Sequence, residues 1–230
     1  MPTLPASQFF PPVEMADADG LLALGGQLSP DWLLDAYRHG IFPWPFDEDA
    51  PIAWWSPDPR AIIELDGLHV SRRLRRTLRS GRFHVTCDRA FREVIAGCAT
   101  APGRRGRTWI TREMIAAFTR LFELGHAHSV ETWHEGRLAG GLYGIAIGGL
   151  FAAESKFYRV PDASKVALAH LVAHLRARGY RLLDIQQLTP HTARLGATEI
   201  PRWEYLARLT DAVTTSASFG NVLADEAASW

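Results

Sequence analysis

A chain of 230 residues with 25 basic and 25 acidic side chains and 47% apolar content can bury a sizeable core, which excludes intrinsic disorder, collagen and coiled coil. No apolar run approaches twenty residues, so a transmembrane helix is excluded; the longest candidate, 138–151, is interrupted by glycines at 140, 141, 144, 148 and 149. The first twenty residues hold neither a basic n-region nor an apolar h-region, and two cysteines outside any metal-ligand spacing suit a reducing compartment, so a cytoplasmic protein without disulfides is expected.

The opening twenty residues are proline-rich and read as extended. Ser29 as N-cap, Pro30 at the first helical position, apolar Trp32, Leu33, Ala36 and Tyr37, and a stop at Gly40 predict the first helix. Residues 41–60 carry prolines at 43, 45, 51, 57 and 59 among several aromatic side chains, which forbids a long element and predicts a structured aromatic loop. That loop closes a small N-terminal domain over 1–60, followed by a second domain over 61–230.

Residues 62–65 read as a strand, and Ser71 caps a helix in which Leu74 and Leu78 face inward. A strand at 83–86, a helix at 91–98, a glycine and arginine loop, and an amphipathic helix at 111–124 follow. The period then switches to two: strands at 129–134, 138–147 and 150–158 form an antiparallel meander joined by Glu135-Gly136 and Gly148-Gly149. A long helix at 163–178, a buried strand at 181–188, short helical turns around 191–195 and a helix near 202–212 complete the fold, with a loose tail from 216. This order is that of an α+β acyltransferase fold of the GNAT kind.

Net charge zero conceals a basic stretch: Arg72, Arg73, Arg75, Arg76, Arg79, Arg82, Arg89, Arg92, Arg104, Arg105 and Arg107 are opposed only by Asp88 and Glu93. Such an excess is a candidate polyanion footprint, although a solvated face is the plainer alternative. Trp44, Trp54, Trp55 and Trp109 add aromatic faces of the kind that stack nucleic-acid bases, against the alternative that they are core. Asp184 and Gln186, two apart on a strand, share one face, where a carboxylate beside an amide can orient an ammonium group and accept its proton. Glu154 and Lys156 repeat that spacing; a lateral ion pair is the plain expectation, and a buried Glu154 the functional one. His126, His128 and His134 have no metal spacing.

The chain resembles the leucyl/phenylalanyl-tRNA protein transferases. The motifs that carry the resemblance run in order: GLLALGGQLSP from Gly20, AYRHGIFPW from Ala36, WWSPDPR from Trp54, TWIT from Thr108, GHAHSVETW from Gly125, GGLYGIA from Gly140, ESKF from Glu154, ASK from Ala163, LLDIQ from Leu182 and HTARLGATEIPR from His191. The resemblance implies a cytosolic enzyme that moves leucine or phenylalanine from aminoacyl-tRNA to a protein N-terminus bearing arginine or lysine, marking it for degradation. It implies a GNAT-like C-terminal domain, a monomer, and neither metal nor coenzyme A. It puts Asp184 and Gln186 at the catalytic pair, Trp44 and Trp109 against the tRNA's terminal adenosine, and Glu154 at the aminoacyl end. Leu142, Phe151 and Leu171 fall in the donor side-chain pocket, where Lys156 and Ile185 depart from the usual methionine and cysteine. Arg72, Arg73, Arg75, Arg76 and Arg79 would meet acceptor-stem phosphates.

Two expectations follow. Phe151 and Glu154 lie on opposite faces of a regular strand, so both reach one pocket only if a bulge or splay occurs near Ala152 and Ala153. Lys156 either pairs with Glu154 or turns the pocket toward a more polar or acidic donor. The rivals are a GNAT-type acetyltransferase, which needs a diphosphate cradle at a helix N-terminus that the fragment RLAGGL matches imperfectly, and a tRNA-end binder without activity.

Overall fold

The computed structural model describes residues 5–101 and 108–224; the expected loop arginines Arg104, Arg105 and Arg107 lie outside them. The N-terminal part holds a three-stranded antiparallel sheet of β1 (Leu21–Leu24), β3 (Ala53–Trp55) and β2 (Phe42–Pro43), in the order β1-β3-β2, around α1 (Pro30–Arg38). The Ser29 side chain accepts from Trp32 N at the start of α1, as its sequence predicts. The aromatic loop is thus partly strand, because Trp54 and Trp55 find paired backbone in Leu21 and Ala23 on one side and in Phe42 and Pro43 of the same loop on the other.

The second sheet has seven strands, ordered β10 (Ala197–Ile200), β4 (Arg60–Ile63), β9 (Leu182–Gln186), β8 (Leu150–Tyr158), β7 (Arg137–Ile147), β6 (Ala127–His134) and β5 (His84–Cys87). Every pairing is antiparallel except β8 with β9, which the helix α5 (Ala163–Ala177) connects. The expected α+β arrangement of meander, long helix and returning strand is present.

Alternation along β7 divides the core. Tyr143 and Ile145 face the cluster built by α3 (Phe91–Ala99), α4 (Arg112–Glu123) and α1, whereas Leu142 faces α5 through Leu168 and Leu171. A third cluster sets Tyr205 and Leu209 of α7 (Arg202–Thr214) against Ile62 and Leu182. Each fully buried leucine or phenylalanine contributes about 1.5–3 kcal/mol. On α2 (Arg72–Arg79), Ser71 accepts from Leu74 N, Leu74 is buried, and the five arginines are exposed.

The tail departs from expectation. Up to residue 224 it is docked: Phe219 is buried, its ring stacks on His128 and Phe151, and its carbonyl meets His174 Nε2 at 2.8 Å. One aromatic anchor between two histidines orders a segment whose periodicity shows nothing. The strands β1, β2, β3 and β10 were likewise not expected.

Candidate active site

The site forms where β8 and β9 separate. Their parallel pairing ends at Ala152 and Asp184, and each strand is irregular just beyond. On β8, Tyr143 pairs with Ser155 and Gly144 with Ala153, so Glu154 is an extra, unpaired residue. The expected irregularity therefore exists, one position past Ala153. On β9, Ala61 pairs with Gln186 and Ile62 with Asp184, which leaves Ile185 over, and Gln186 adopts a left-handed φ of 59°. That conformation is strained for a side chain other than glycine and is held by the bonds Gln186 makes.

A cavity of about 940 Å³ opens in the gap. Gln186 Nε2 donates to Glu154 Oε1 at 2.8 Å, and both residues line the cavity. Asp184 does not. Its carboxylate is 0% exposed; Oδ1 accepts from Arg60 Nε and from Gln186 N, each at 2.9 Å, and Oδ2 accepts from an Arg60 Nη at 2.6 Å and from the Tyr205 hydroxyl at 2.9 Å. The expectation that Asp184 and Gln186 present one polar face is corrected here. The leftover Ile185 and the left-handed Gln186 turn the amide into the cavity and leave the carboxylate beneath it.

Arg60, itself 1% exposed, also donates to Gly40 O at 2.8 Å and lies over the rings of Phe42 and Tyr205. Burial alone would lower the Arg60 pKa, but Asp184 beside it drives it well up. Burial pushes the Glu154 carboxyl up to about 8; the Tyr37 hydroxyl opposes that rise, Asp184 adds to it, and Arg60 opposes it. Tyr37 lies beside Glu154 without meeting hydrogen-bond geometry, and its own pKa is raised by burial and then by Glu154.

Trp44 and Trp109 come together on the cavity lining from residues 65 apart in sequence, their ring centroids 5.8 Å apart at 59°. Rings already in contact leave no slot between them for a flat ligand. Two bonds fix this arrangement: Trp55 Nε1 donates to Trp44 O at 3.0 Å, and Glu48 accepts from Arg112 N at 3.1 Å, just beyond Trp109.

The apolar lining comprises Leu142 and Ile185, with Ile63 and Leu168 in addition. Phe151 and Leu171 are corrected out of it. Both are 0% exposed in the cluster they share with Leu142, because Phe151 precedes the bulge and its ring is taken up by Phe219. Lys156 lines the cavity opposite Leu142 in register. The bulge breaks the alternation that a lateral Glu154–Lys156 pair needs, and Glu154 takes Gln186 as partner.

Basic groups gather on the α5 side. Lys165 and Arg73 hold the two Asp162 oxygens at 3.0 and 3.1 Å, and burial, Lys156, Lys165 and Arg194 together keep the His191 pKa down. Arg73 lines the cavity; Arg72, Arg75, Arg76 and Arg79 surround a separate surface depression. Among the described residues no cluster of His, Cys, Asp or Glu could hold a metal, and no helix is long and apolar enough to cross a membrane.

Comparison with known proteins gives the family. Residues 62–210 match the family described as leucyl/phenylalanyl-tRNA protein transferase, and residues 26–58 match that family's N-terminal domain. The chain belongs to the leucyl/phenylalanyl-tRNA protein transferase family. Curated transferases of that name from Aromatoleum aromaticum and Nitratidesulfovibrio vulgaris are 55% and 53% identical, each over 92% of this chain and 90% of the relative. One from an Anaeromyxobacter species is 55% identical over 90% of this chain and 88% of the relative.

In this transferase, sequence reasoning missed Tyr37, Arg60 and Tyr205. Tyr37 sat within an apolar helical pattern and read as core. Arg60 offered one signal: an arginine opening the apolar strand segment Ala61, Ile62, Ile63 must find a counter-charge, and Asp184 on another buried strand supplies it.

Proposed function

We propose that this chain moves leucine or phenylalanine from aminoacyl-tRNA to a protein whose N-terminus is arginine or lysine, as a cytoplasmic monomer that marks its acceptors for degradation. The observation that carries the reading is one cavity lined by the Trp44–Trp109 pair, an apolar wall and the Glu154–Gln186 couple. The terminal adenine stacks on the tryptophans, and the donor side chain packs against Leu142, Ile63, Leu168 and Ile185. Backbone phosphates run toward Arg73 and the other α2 arginines. The division at residue 60 belongs to this reading: the first domain brings Phe42, Pro43 and Trp44, the second brings the other cavity residues.

The carbonyl arrives activated as an ester, so the acceptor's amine attacks it directly and no covalent enzyme intermediate is needed. Holding two substrates together supplies much of the rate, and the Gln186 amide orients the reacting groups. Asp184 is a positioning residue that acts through Gln186 N. An acetyltransferase reading fares worse at α5, whose N-terminus presents the Asp162 carboxylate to a diphosphate that would need free donors.

The test is transfer from aminoacyl-tRNAs labelled on the amino acid to peptides beginning with arginine, lysine or alanine. Leucine or phenylalanine on the basic peptides alone is the expected result; transfer of neither overturns the reading. The same assay decides the role of Lys156. Lys156→Met is expected to raise transfer of leucine relative to any polar donor by roughly tenfold, the scale of one altered contact in an apolar pocket. An unchanged donor preference removes Lys156 from specificity. Trp109→Ala is expected to weaken aminoacyl-tRNA binding roughly 5- to 150-fold, the equivalent of one base stack. Filter binding with intact and 3′-truncated tRNA reads this: the truncated tRNA should not discriminate the variant from the parent.

A further inference from the structure

We propose that Glu154 is the base that takes the proton from the acceptor's α-ammonium group, an inference that rests on the transferase reading above. The geometry eliminates the other candidates. Asp184 lies beneath the cavity with both oxygens occupied by Arg60, Tyr205 and Gln186 N. Asp162 lines the cavity, yet Lys165 and Arg73 neutralise it. His191 faces Lys156, Lys165 and Arg194, surroundings that repel an incoming cation. Glu154 is the remaining cavity carboxylate among the described residues, and the bulge that leaves it unpaired is what carries it to the lining.

Its surroundings suit the task. Oε1 is fixed by the Gln186 amide, which orients the carboxylate. Tyr37 faces it from α1, Asp184 and Gln186 from β9, and Arg60 from β4; Tyr143 of β7 acts on Tyr37 in turn. Burial pushes the carboxyl up to about 8, next to the ordinary α-amino value of about 7.7–8.0. That rise narrows the gap between the two groups, so Glu154 is a better acceptor of an ammonium proton than an ordinary carboxylate.

The step balances as follows. Glu154 removes one proton from the ammonium, and the neutral amine attacks the ester carbon. The C–N bond forms, the C–O bond to the ribose breaks, and the ribose oxygen takes the second proton from the attacking nitrogen. The third hydrogen stays on the amide. Glu154 releases its proton to solvent and is restored.

The experiment measures kcat/KM for a peptide beginning with arginine at saturating leucyl-tRNA, from about pH 6 to about pH 9. The productive encounter needs an ionised Glu154 and a protonated amine. The wild-type profile is therefore a bell with its maximum near 8, falling on the acid side as Glu154 protonates and on the alkaline side as the amine loses its proton. Glu154→Gln keeps the bond to Gln186 but must wait for amine that is already neutral. It is expected to be about 100-fold slower or more at neutral pH, with a profile that rises to a plateau and has no alkaline limb. Glu154→Asp should restore the bell at reduced height, and aminoacyl-tRNA affinity should be the same in all three. A bell retained in Glu154→Gln, or a loss confined to aminoacyl-tRNA affinity, overturns the inference and leaves the transferase reading intact. Absence of wild-type transfer overturns the transferase reading itself.

Discussion

Asp184→Ala is expected to unfold at markedly lower denaturant concentration than the parent, with a loss of about 3–5 kcal/mol. The substitution removes the acceptor of four donors and strands the Arg60 guanidinium, 1% exposed, without its counter-charge. A typical domain holds about 5–15 kcal/mol in total, so this loss threatens the fold before it touches the chemistry. In heat it corresponds to roughly 6–20 °C of Tm for a chain of this size. The effect spreads because Arg60 joins four elements: it starts β4, grips Asp184 on β9, donates to Gly40 O after α1 and lies over Tyr205 of α7. Removing both charges by Arg60→Met with Asp184→Leu should recover stability relative to Asp184→Ala, since no buried charge is then left alone. A single variant that melts like the parent yet transfers nothing would show that Asp184 serves the reaction and not the fold.

The contrast between Asp184 and Glu154 shows which parts of the site were legible in the sequence. Local signals were: Ser29 and Ser71 each cap the helix their spacing predicts, and period two with turn glycines delivered the meander from β6 to β8. Strand alternation also required a bulge if Phe151 and Glu154 were to share one pocket; the bulge is there, at Glu154, but Phe151 stays buried outside the cavity. What failed were statements that need the third dimension. Asp184 and Gln186 share a face only on a regular strand, and the left-handed Gln186 ends that regularity. The Arg60–Asp184 contact spans 124 residues, a separation over which no periodicity carries information. Strands of two to four residues such as β2, β3 and β10 exist because partners elsewhere complete their ladders, so their own sequences carry little signal.

The same division explains how one cavity treats two substrates. In the proposed function the tRNA end meets aromatic faces and arginine, most of them in contiguous sequence at 42–55 and 72–79, with Trp109 added from beyond. The reacting amine is proposed to meet Glu154 and Gln186, which gain their positions from strand irregularities and from Arg60 and Asp184 below. Binding was therefore more visible than chemistry. Binding residues act as types on a surface, whereas the reacting groups depend on placement within a fraction of an ångström.

Gly144→Ala is expected to separate these two functions. Gly144 lies on β7 opposite Ala153, at the step where the register shifts to leave Glu154 over. A Cβ at this position would overlap the Ala152 carbonyl and come within 2.6 Å of the Phe151 ring. The carbonyl is backbone and cannot rotate away, so β8 must move, at a stability cost of about 1–3 kcal/mol for an overpacked site. The displacement falls two residues before Glu154. A shift near 1 Å in a reacting group costs on the order of 100-fold in rate, so kcat for transfer should fall by about that factor. Trp44 and Trp109 stand on other elements and are tied down by Trp55 and Glu48, so affinity for aminoacyl-tRNA should barely change. Single-turnover transfer beside filter binding gives both quantities from one preparation. Normal kcat in a folded Gly144→Ala would mean that β8 yields without carrying Glu154 along, and that the bulge can be lost without cost to the reaction; affinity and rate falling together would mean that the tryptophans and the bulge are one mechanical unit.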